Sequence, residues 1–365
     1  MTRRRRLFAP VLARHLSIEF ARVFLLALLA FVAIYVIVDF FDRFDGFLKH
    51  GATAGMVVRY FVFKMPVVVS QVTPFAVLAG GLVGLGLLGR QNEFVALRAC
   101  GVSVWQATTP LLLLAAVVAG AVFAWNERVV PESARRWHTI EDVEIKRRNT
   151  ATVFTGRDVW FHGGAGFYNI DRISPRKNAL YGVTIYQLGA DFRPRRLIEA
   201  NAALWNGTGW QLEGARTRDF GPDGVHDTPN VPEHFRLPET FADFQVASVE
   251  PEEFSYGMLR HQIADLQRKG ADVSESWVDL YLKVALPAAS FIMMLLAVPL
   301  AFRGTRISSF AAGIGLGFAL GFGYFVIVAF TRALGQSHAL PPMMAAWAAN
   351  GLFALIGGYL LLGET

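Results

Sequence analysis

Six stretches of the chain run almost without charge for the roughly 17–25 residues that an α-helix needs to cross a hydrocarbon layer. They are Val23–Phe41, Met65–Gly89, Val102–Trp125, Val284–Phe302, Ile307–Thr331 and Ala339–Gly363. Between the third and the fourth the pattern changes. A polar stretch of roughly 150 residues follows, in which short aromatic and β-branched runs alternate with Gly, Pro and Asn punctuation. "RDVWFHG", "GFYNIDRI", "LYGVTIYQL", "RRLIEANAALW" and "GWQLEGARTRDF" read as strands, with Asn206-Gly207 as a hairpin turn. Near-regular spacing of short strands favours a sandwich or open barrel over an α/β domain. Helical arms flank it: "PESARRWHTIEDVEIKRR" leads in, and "FSYGMLRHQIADLQRKG" leads out with Leu259, Ile263 and Leu266 on one face and Gly270 as a stop. The expected fold class is therefore a membrane α-helical protein with six transmembrane helices and an inserted all-β domain.

The order is three helices, a domain, three helices, with boundaries expected at residues 1–127, 128–275 and 276–365. Residues 9–22, "APVLARHLSIEFAR", mix apolar and charged positions at helical spacing and predict an interfacial helix ahead of the first span. Arg3–Arg6, Arg14, Arg90, Arg98, Arg303 and Arg306 all fall on one side of the membrane in this layout. The positive-inside rule makes that side cytoplasmic, with both termini inside and the β domain outside. A basic start before an apolar run is compatible with a cleavable signal. The run is long enough to span and no clean A-x-A cleavage site follows it, so a retained helix is expected.

Composition agrees with a membrane class: 53% of the 365 residues are hydrophobic and 30 are Phe. The formal charge of +6 is not gathered into a patch that would suit nucleic acid. A single Cys100 excludes an intramolecular disulfide, so the β domain must rest on its own core. No phosphate-binding G-x-x-x-x-G-K-[ST] loop, H-E-x-x-H or G-x-S-x-G is present, and His162, His226, His234 and His338 read as surface or loop residues, not metal ligands. Apart from Asp39 near the outer end of the first, the expected spans carry no acid or base. That argues against internal proton or ion coupling and against an intramembrane enzyme. Such a chain is passive or driven from outside. Gly80 and Gly84, and Gly313, Gly317 and Gly321, form small-xxx-small rows that serve either packing within the subunit or a seam against a partner.

One short loop stands apart. "GRQNEFVALRACGVS" places Glu93, Phe94, Leu97 and Arg98 in a charged, helix-patterned stretch on the cytoplasmic side. With the preceding run, "PFAVLAGGLVGLGLLGRQNEFVALRACGVS" resembles the signature of the LptF/LptG permease family of the lipopolysaccharide exporter. "DLYLKVALPAASFIMMLLAVPLAF" and "LPPMMAAWAANGLFALIGGYLLL" resemble its second helical half. The most specific positions are Glu93, Ala96, Arg98 and Gly101. The insert and Ala345-Ala346-Trp347 with Asn350 look more like the LptG branch than the LptF branch.

The resemblance implies a non-catalytic inner-membrane permease subunit with a periplasmic β-jellyroll. Its partners would be LptF in a heterodimer, an LptB ATPase dimer that binds ATP and Mg, LptC, and lipopolysaccharide as the cargo. It makes residues 90–101 a coupling helix, with Glu93, Phe94, Leu97 and Arg98 contacting the ATPase. A phosphate-bearing cargo calls for cations at the outer helix ends. Arg43, Lys49, Lys64, Arg128 and Arg136 are the candidates, with Arg59, Arg135 and Arg332 behind them. Asp39, Asp42 and Asp45 interleave with these cations, where the family uses basic residues. The competing reading is a mechanotransmission-type partner of an ATPase that does not itself translocate lipid; a membrane-bound envelope-lipid enzyme is disfavoured by the missing catalytic groups.

Overall fold

A computed structural model describes residues 10–90, 99, 104–146, 159–163, 166–174, 177–189, 193–221, 224–228, 240–241, 251–268, 273–304 and 310–363. Six of its helices are long and apolar enough to cross a membrane: α1 (Pro10–Lys49), α2 (Ala54–Arg90), α3 (Val104–Arg128), α6 (Ser274–Gly304), α7 (Phe310–Gln336) and α8 (Pro342–Leu362). Two shorter helices, α4 (Val130–Thr139) and α5 (Tyr256–Arg268), are the arms expected on either side of the insert. Leu259 and Ile263 of α5 are buried and Leu266 packs beside them; Gly270 lies outside the described residues.

The helices outrun the expected spans. α1 is one unbroken helix of 40 residues, about 60 Å at 1.5 Å per residue. Residues 10–22 are its opening turns, not a separate interfacial helix, because Leu16 and Phe20 are buried in the bundle core. The extra turns also bring ionisable residues into the helices: Arg43, Arg59, Lys64, Asp279, Lys283 and Arg332 all lie within helical segments that the apolar runs alone did not include.

α6 is the centre of the bundle: α2, α3, α7 and α8 all pack on it, and Val278, Ala285, Ala289, Met293, Met294 and Ala297 are buried there. α1 lies at the edge against α2, with Leu26, Leu29, Val38 and Phe41 exposed for lipid. Of the glycine rows, Gly80, Gly317 and Gly321 pack inside the subunit: a Cβ on Gly80 would stand 3.1 Å from Phe20 and Phe24, one on Gly321 would stand 2.9 Å from Leu78, and Gly317 faces Leu82. Beside the first row, a Cβ on Gly81 would stand 2.6 Å from that of Ala297. In the core, buried Asn350 donates from Nδ2 to the Ala285 carbonyl (2.9 Å) and accepts from the Tyr324 hydroxyl (2.8 Å). That pins α8 to α6 and α7 where unpaired polar groups are costly.

The insert is an antiparallel sheet of seven described strands: β1 (Val159–Gly163), β2 (Gly166–Ser174), β3 (Ala179–Leu188), β4 (Pro194–Trp205), β5 (Trp210–Glu213), β6 (Arg216–Gly221) and β7 (Gly224–Thr228). Each pairs with its neighbour in sequence except that the long β4 carries β5 along its second half and β6 along its first. The β4–β5 turn is the expected one. Gly207 has φ +96°, which suits glycine, and the Asn206 side chain accepts from the Thr208 and Gly209 amides. Alternation sets the register: Tyr168, Ile185 and Ile198 align across the strands in one buried row, and Ile170, Val183 and Ala200 in the next. The opposite face carries polar rows, Asn169–Thr184–Glu199–Arg216 among them.

Candidate functional site

Helix direction fixes which groups share an end of the bundle. The last turns of α1, α3 and α7 and the first turns of α2, α6 and α8 lie together, on the side where the chain leaves for the β insert. The α2–α3 and α6–α7 connections belong to the opposite end. The four residues of the expected coupling helix, Glu93, Phe94, Leu97 and Arg98, lie outside the described residues.

At the insert end the side chains build a network across three elements. Lys64 of α2 is only 4% exposed. Its ammonium donates to Asp39 Oδ2 on α1 at 2.6 Å and to the Tyr60 hydroxyl at 3.2 Å, and lies 4.9 Å from the Trp137 ring centre. A buried ammonium needs such surroundings: one counter-charge, one acceptor, and an aromatic face. Asp39 also accepts from Arg43 Nε at 3.3 Å, one turn along α1. The other arm of Arg43 reaches a third element, with Nη1 donating to Glu141 Oε1 at 2.9 Å.

Glu141 sits on a π-helical turn, Ile140–Ile145, that continues α4 toward the β insert. The wider turn is closed by the Lys146 amide donating to the Glu141 carbonyl at 3.0 Å. Burial works to raise the Glu141 carboxyl. The hydrogen bond and charge of Lys146, at 2.6 Å, and the Arg43 charge overcome it and hold the group below the ordinary glutamate range. Lys146 also meets Asp142 at 3.5 Å, and Arg59 of α2 pairs with Glu144 of the same turn at 3.0 Å. The arm leading into the insert is thus clasped to the α1–α2 hairpin by charge and by the stacking of Trp137 edge-on to Tyr60.

The expected cations divide accordingly. Arg43 and Lys64 are brought together on one carboxylate. Arg136 is elsewhere on α4, paired with Glu132 one turn away at 2.9 Å and lying over Phe63. Lys49 and Arg128 occupy the last turns of α1 and α3, where a cation offsets the negative end of the helix. Of the secondary candidates, Arg59 is in the clasp, Arg135 donates to the Glu253 carbonyl, and Arg332 pairs with Asp279 at 2.8 Å. Sequence reasoning missed Tyr60, Trp137 and Glu141, and treated Asp39 as an intruder when it is the shared counter-ion. The Asp39–Arg43 spacing of one turn was the available signal.

The return arm is fastened separately. Glu127, near the end of α3, accepts the Tyr256 and Gly257 amides at 2.6 and 3.1 Å, capping the start of α5. Lys283 of α6 donates to the Pro251 carbonyl at 2.9 Å. Both arms therefore bear directly on helices of the bundle.

Comparison with known proteins agrees with this architecture. The chain is 22% identical over 358 residues to the lipopolysaccharide export system permease protein LptG of Escherichia coli K12, covering 97% of this chain and 99% of that one. It is 23% identical over 347 residues to the LptG of Haemophilus influenzae, covering 92% and 93% of the two chains. The family described as lipopolysaccharide export system permease LptF/LptG matches residues 14–363. Six apolar helices, a β insert between the third and fourth, and a match over nearly the whole length place this chain in the LptF/LptG permease family, as a multi-pass inner-membrane protein.

Proposed function

We propose that this chain is the LptG-type permease subunit of an exporter that draws lipopolysaccharide from the inner membrane and passes it through the β domain toward the outer membrane. Residues 1–127 and 276–365 form the two helical halves, and residues 128–275 the periplasmic receiving domain. ATP is hydrolysed elsewhere, in an LptB dimer that holds the nucleotide and Mg. LptF completes the membrane cavity, and LptC takes the lipid onward. The supporting observation is the separation of ends. The β insert and the clasp of Asp39, Arg43, Lys64 and Glu141 share one end of the bundle, and the loop with Glu93, Phe94, Leu97 and Arg98 belongs to the other. A machine that receives cargo outside and takes work from the cytosol requires that division.

Arg43, Lys49, Lys64, Arg128 and Arg136 are the proposed cations for substrate phosphates, with Arg43 the foremost because it lies in the clasp and remains 35% exposed. The decisive experiment concerns the motor contact. Truncating one member of a charge pair in a partly dry interface costs roughly 2–5 kcal/mol. Glu93→Ala and Glu93→Lys complexes are therefore expected to lose association with the ATPase and ATP-dependent lipid release. Normal assembly and wild-type export by Glu93→Lys would remove the coupling role.

A further inference from the structure

Arg43 is partly open to solvent, yet its guanidinium is already occupied by carboxylates on two sides. We infer that Glu141 is a specificity-determining residue: it fills the Arg43 site as an internal anion, which a lipid phosphomonoester displaces and an ordinary phosphodiester lipid does not. The inference rests on the reading that Arg43 meets a substrate phosphate, and goes beyond it by naming what the cargo must compete with.

The first reason is charge. The clasp sets Arg43, Lys64 and Lys146 against Asp39, Glu141 and Asp142, so cations and acids balance. A balanced cluster does not gather every passing monoanionic headgroup, as an unopposed cluster of cations would.

The second reason is which acid is free to leave. Asp39 holds both Arg43 and the sealed Lys64, and moving it would strand a buried ammonium. Glu141 has a second partner in Lys146 at 2.6 Å, so it can release Arg43 and remain paired. It also sits on a π-helical turn, an uncommon geometry often found at functional sites.

The third reason is the competitor's chemistry. A tethered carboxylate acts at a high effective concentration, and a phosphodiester carrying one charge offers Arg43 little more. A phosphomonoester carries about −1.5 to −2 at neutral pH and presents three strong acceptor oxygens. Arginine's planar fork binds such a group through paired hydrogen bonds. Displacement also removes one of the two ion pairs that tie the turn preceding the β insert to the α1–α2 hairpin, leaving Arg59–Glu144, so arrival of the right lipid loosens the arm that leads to the receiving domain.

The test uses the full chain in phosphatidylcholine nanodiscs doped with phosphatidic acid (a monoester), phosphatidylglycerol (a diester) or purified lipopolysaccharide. A photo-crosslinker at Phe44, exposed beside Arg43, reports capture. Spin labels at Leu48 and Thr139, both exposed, report the distance across the clasp in a Cys100→Ala background. Phosphatidic acid and lipopolysaccharide are expected to be captured and to lengthen the distance, and phosphatidylglycerol to do neither. Glu141→Gln should cut the preference for monoester over diester about fivefold, the size of a lost partly exposed charge pair. Glu144→Gln, which breaks only the neighbouring pair with Arg59, should leave the preference intact. If lipopolysaccharide is captured but Glu141→Gln keeps the wild-type preference, the inference is overturned while Arg43 stands as a phosphate contact. If no lipopolysaccharide is captured at Phe44 and the distance never changes, both fall.

Discussion

Asp39 and Lys64 make opposite demands on the structure, and replacing each separately exposes the difference. Lys64 is 4% exposed and its only carboxylate partner among the described residues is Asp39, at 2.6 Å. Asp39→Asn keeps the shape but leaves a buried ammonium with an amide, the Tyr60 hydroxyl and an aromatic face. Breaking a buried pair from one side costs roughly 3–5 kcal/mol. The lower end, about 3 kcal/mol, applies here because the Trp137 face remains 4.9 Å away. Lys64→Met removes the charge with little change in volume, and Asp39 retains Arg43 at 3.3 Å. No charge is stranded, so the cost should be about 1–2 kcal/mol, that of lost hydrogen bonds to a charged group. The double variant should sit close to Lys64→Met alone, giving a coupling energy of about 3 kcal/mol, at the upper end of the usual range for touching residues. Unfolding in mixed micelles, followed by tryptophan fluorescence with Trp137 inside the cluster, measures all three. The reasoning is refuted if Lys64→Met destabilises as much as Asp39→Asn, or if the two effects simply add.

Gly81→Ala is expected to cost about 1–3 kcal/mol by forcing α2 off α6, since the new methyl would lie 2.6 Å from Ala297; Gly84→Ala, whose nearest neighbour is 3.8 Å away, should be neutral or slightly stabilising in the same unfolding assay. Asn350→Leu should cost about 1 kcal/mol, typical of an interhelical hydrogen bond in a membrane, and Tyr324→Phe less, because the Asn350 amide keeps its bond to the Ala285 carbonyl. Glu141 is held below its ordinary value of 4.5, so its contribution to the clasp is complete above pH 4.5 and is lost as pH falls through the lower folded value. The Leu48–Thr139 spin-label distance should stay constant from neutral pH to that point and lengthen only below it. A cysteine at Thr208, in the exposed β4–β5 turn, should react with an impermeant maleimide added to intact spheroplasts, in the Cys100→Ala background; labelling only after the inner membrane is broken would reverse the topology.

The six helices were legible because each rests on an uninterrupted apolar run, and the strands because aromatic and β-branched residues alternate between Gly and Asn turns. Helix ends were less legible. The apolar run of the first span stops near Phe41, but α1 goes on to Lys49, because Arg43 finds a partner on its own helix at Asp39 and another at Glu141. A charge that is satisfied by tertiary contacts does not end a helix, and only the contacts reveal that it is satisfied. The opening stretch failed for the converse reason. Its mixture of charged and apolar residues suits an interfacial helix, but Leu16 and Phe20 are core residues in the bundle, which nothing nearby in sequence announces.

The same limit governed the candidate site. Cations near the expected outer ends of helices were identified by type and position, and that selects Arg43, Lys64, Lys49, Arg128 and Arg136 alike. Their roles diverge only through partners far along the chain: Asp39 is 25 residues from Lys64, and Glu141 is 98 from Arg43. The three aspartates in the same region looked like a departure from the family's basic pattern. In the folded chain Asp39 is what permits two cations to stand side by side at a place where a single ammonium would be costly to bury. An acid among the proposed phosphate contacts therefore does not weaken the case for the site. On the proposed reading, Asp39 and Glu141 hold the cations in position, neutralised, for an anion with more charge than a carboxylate.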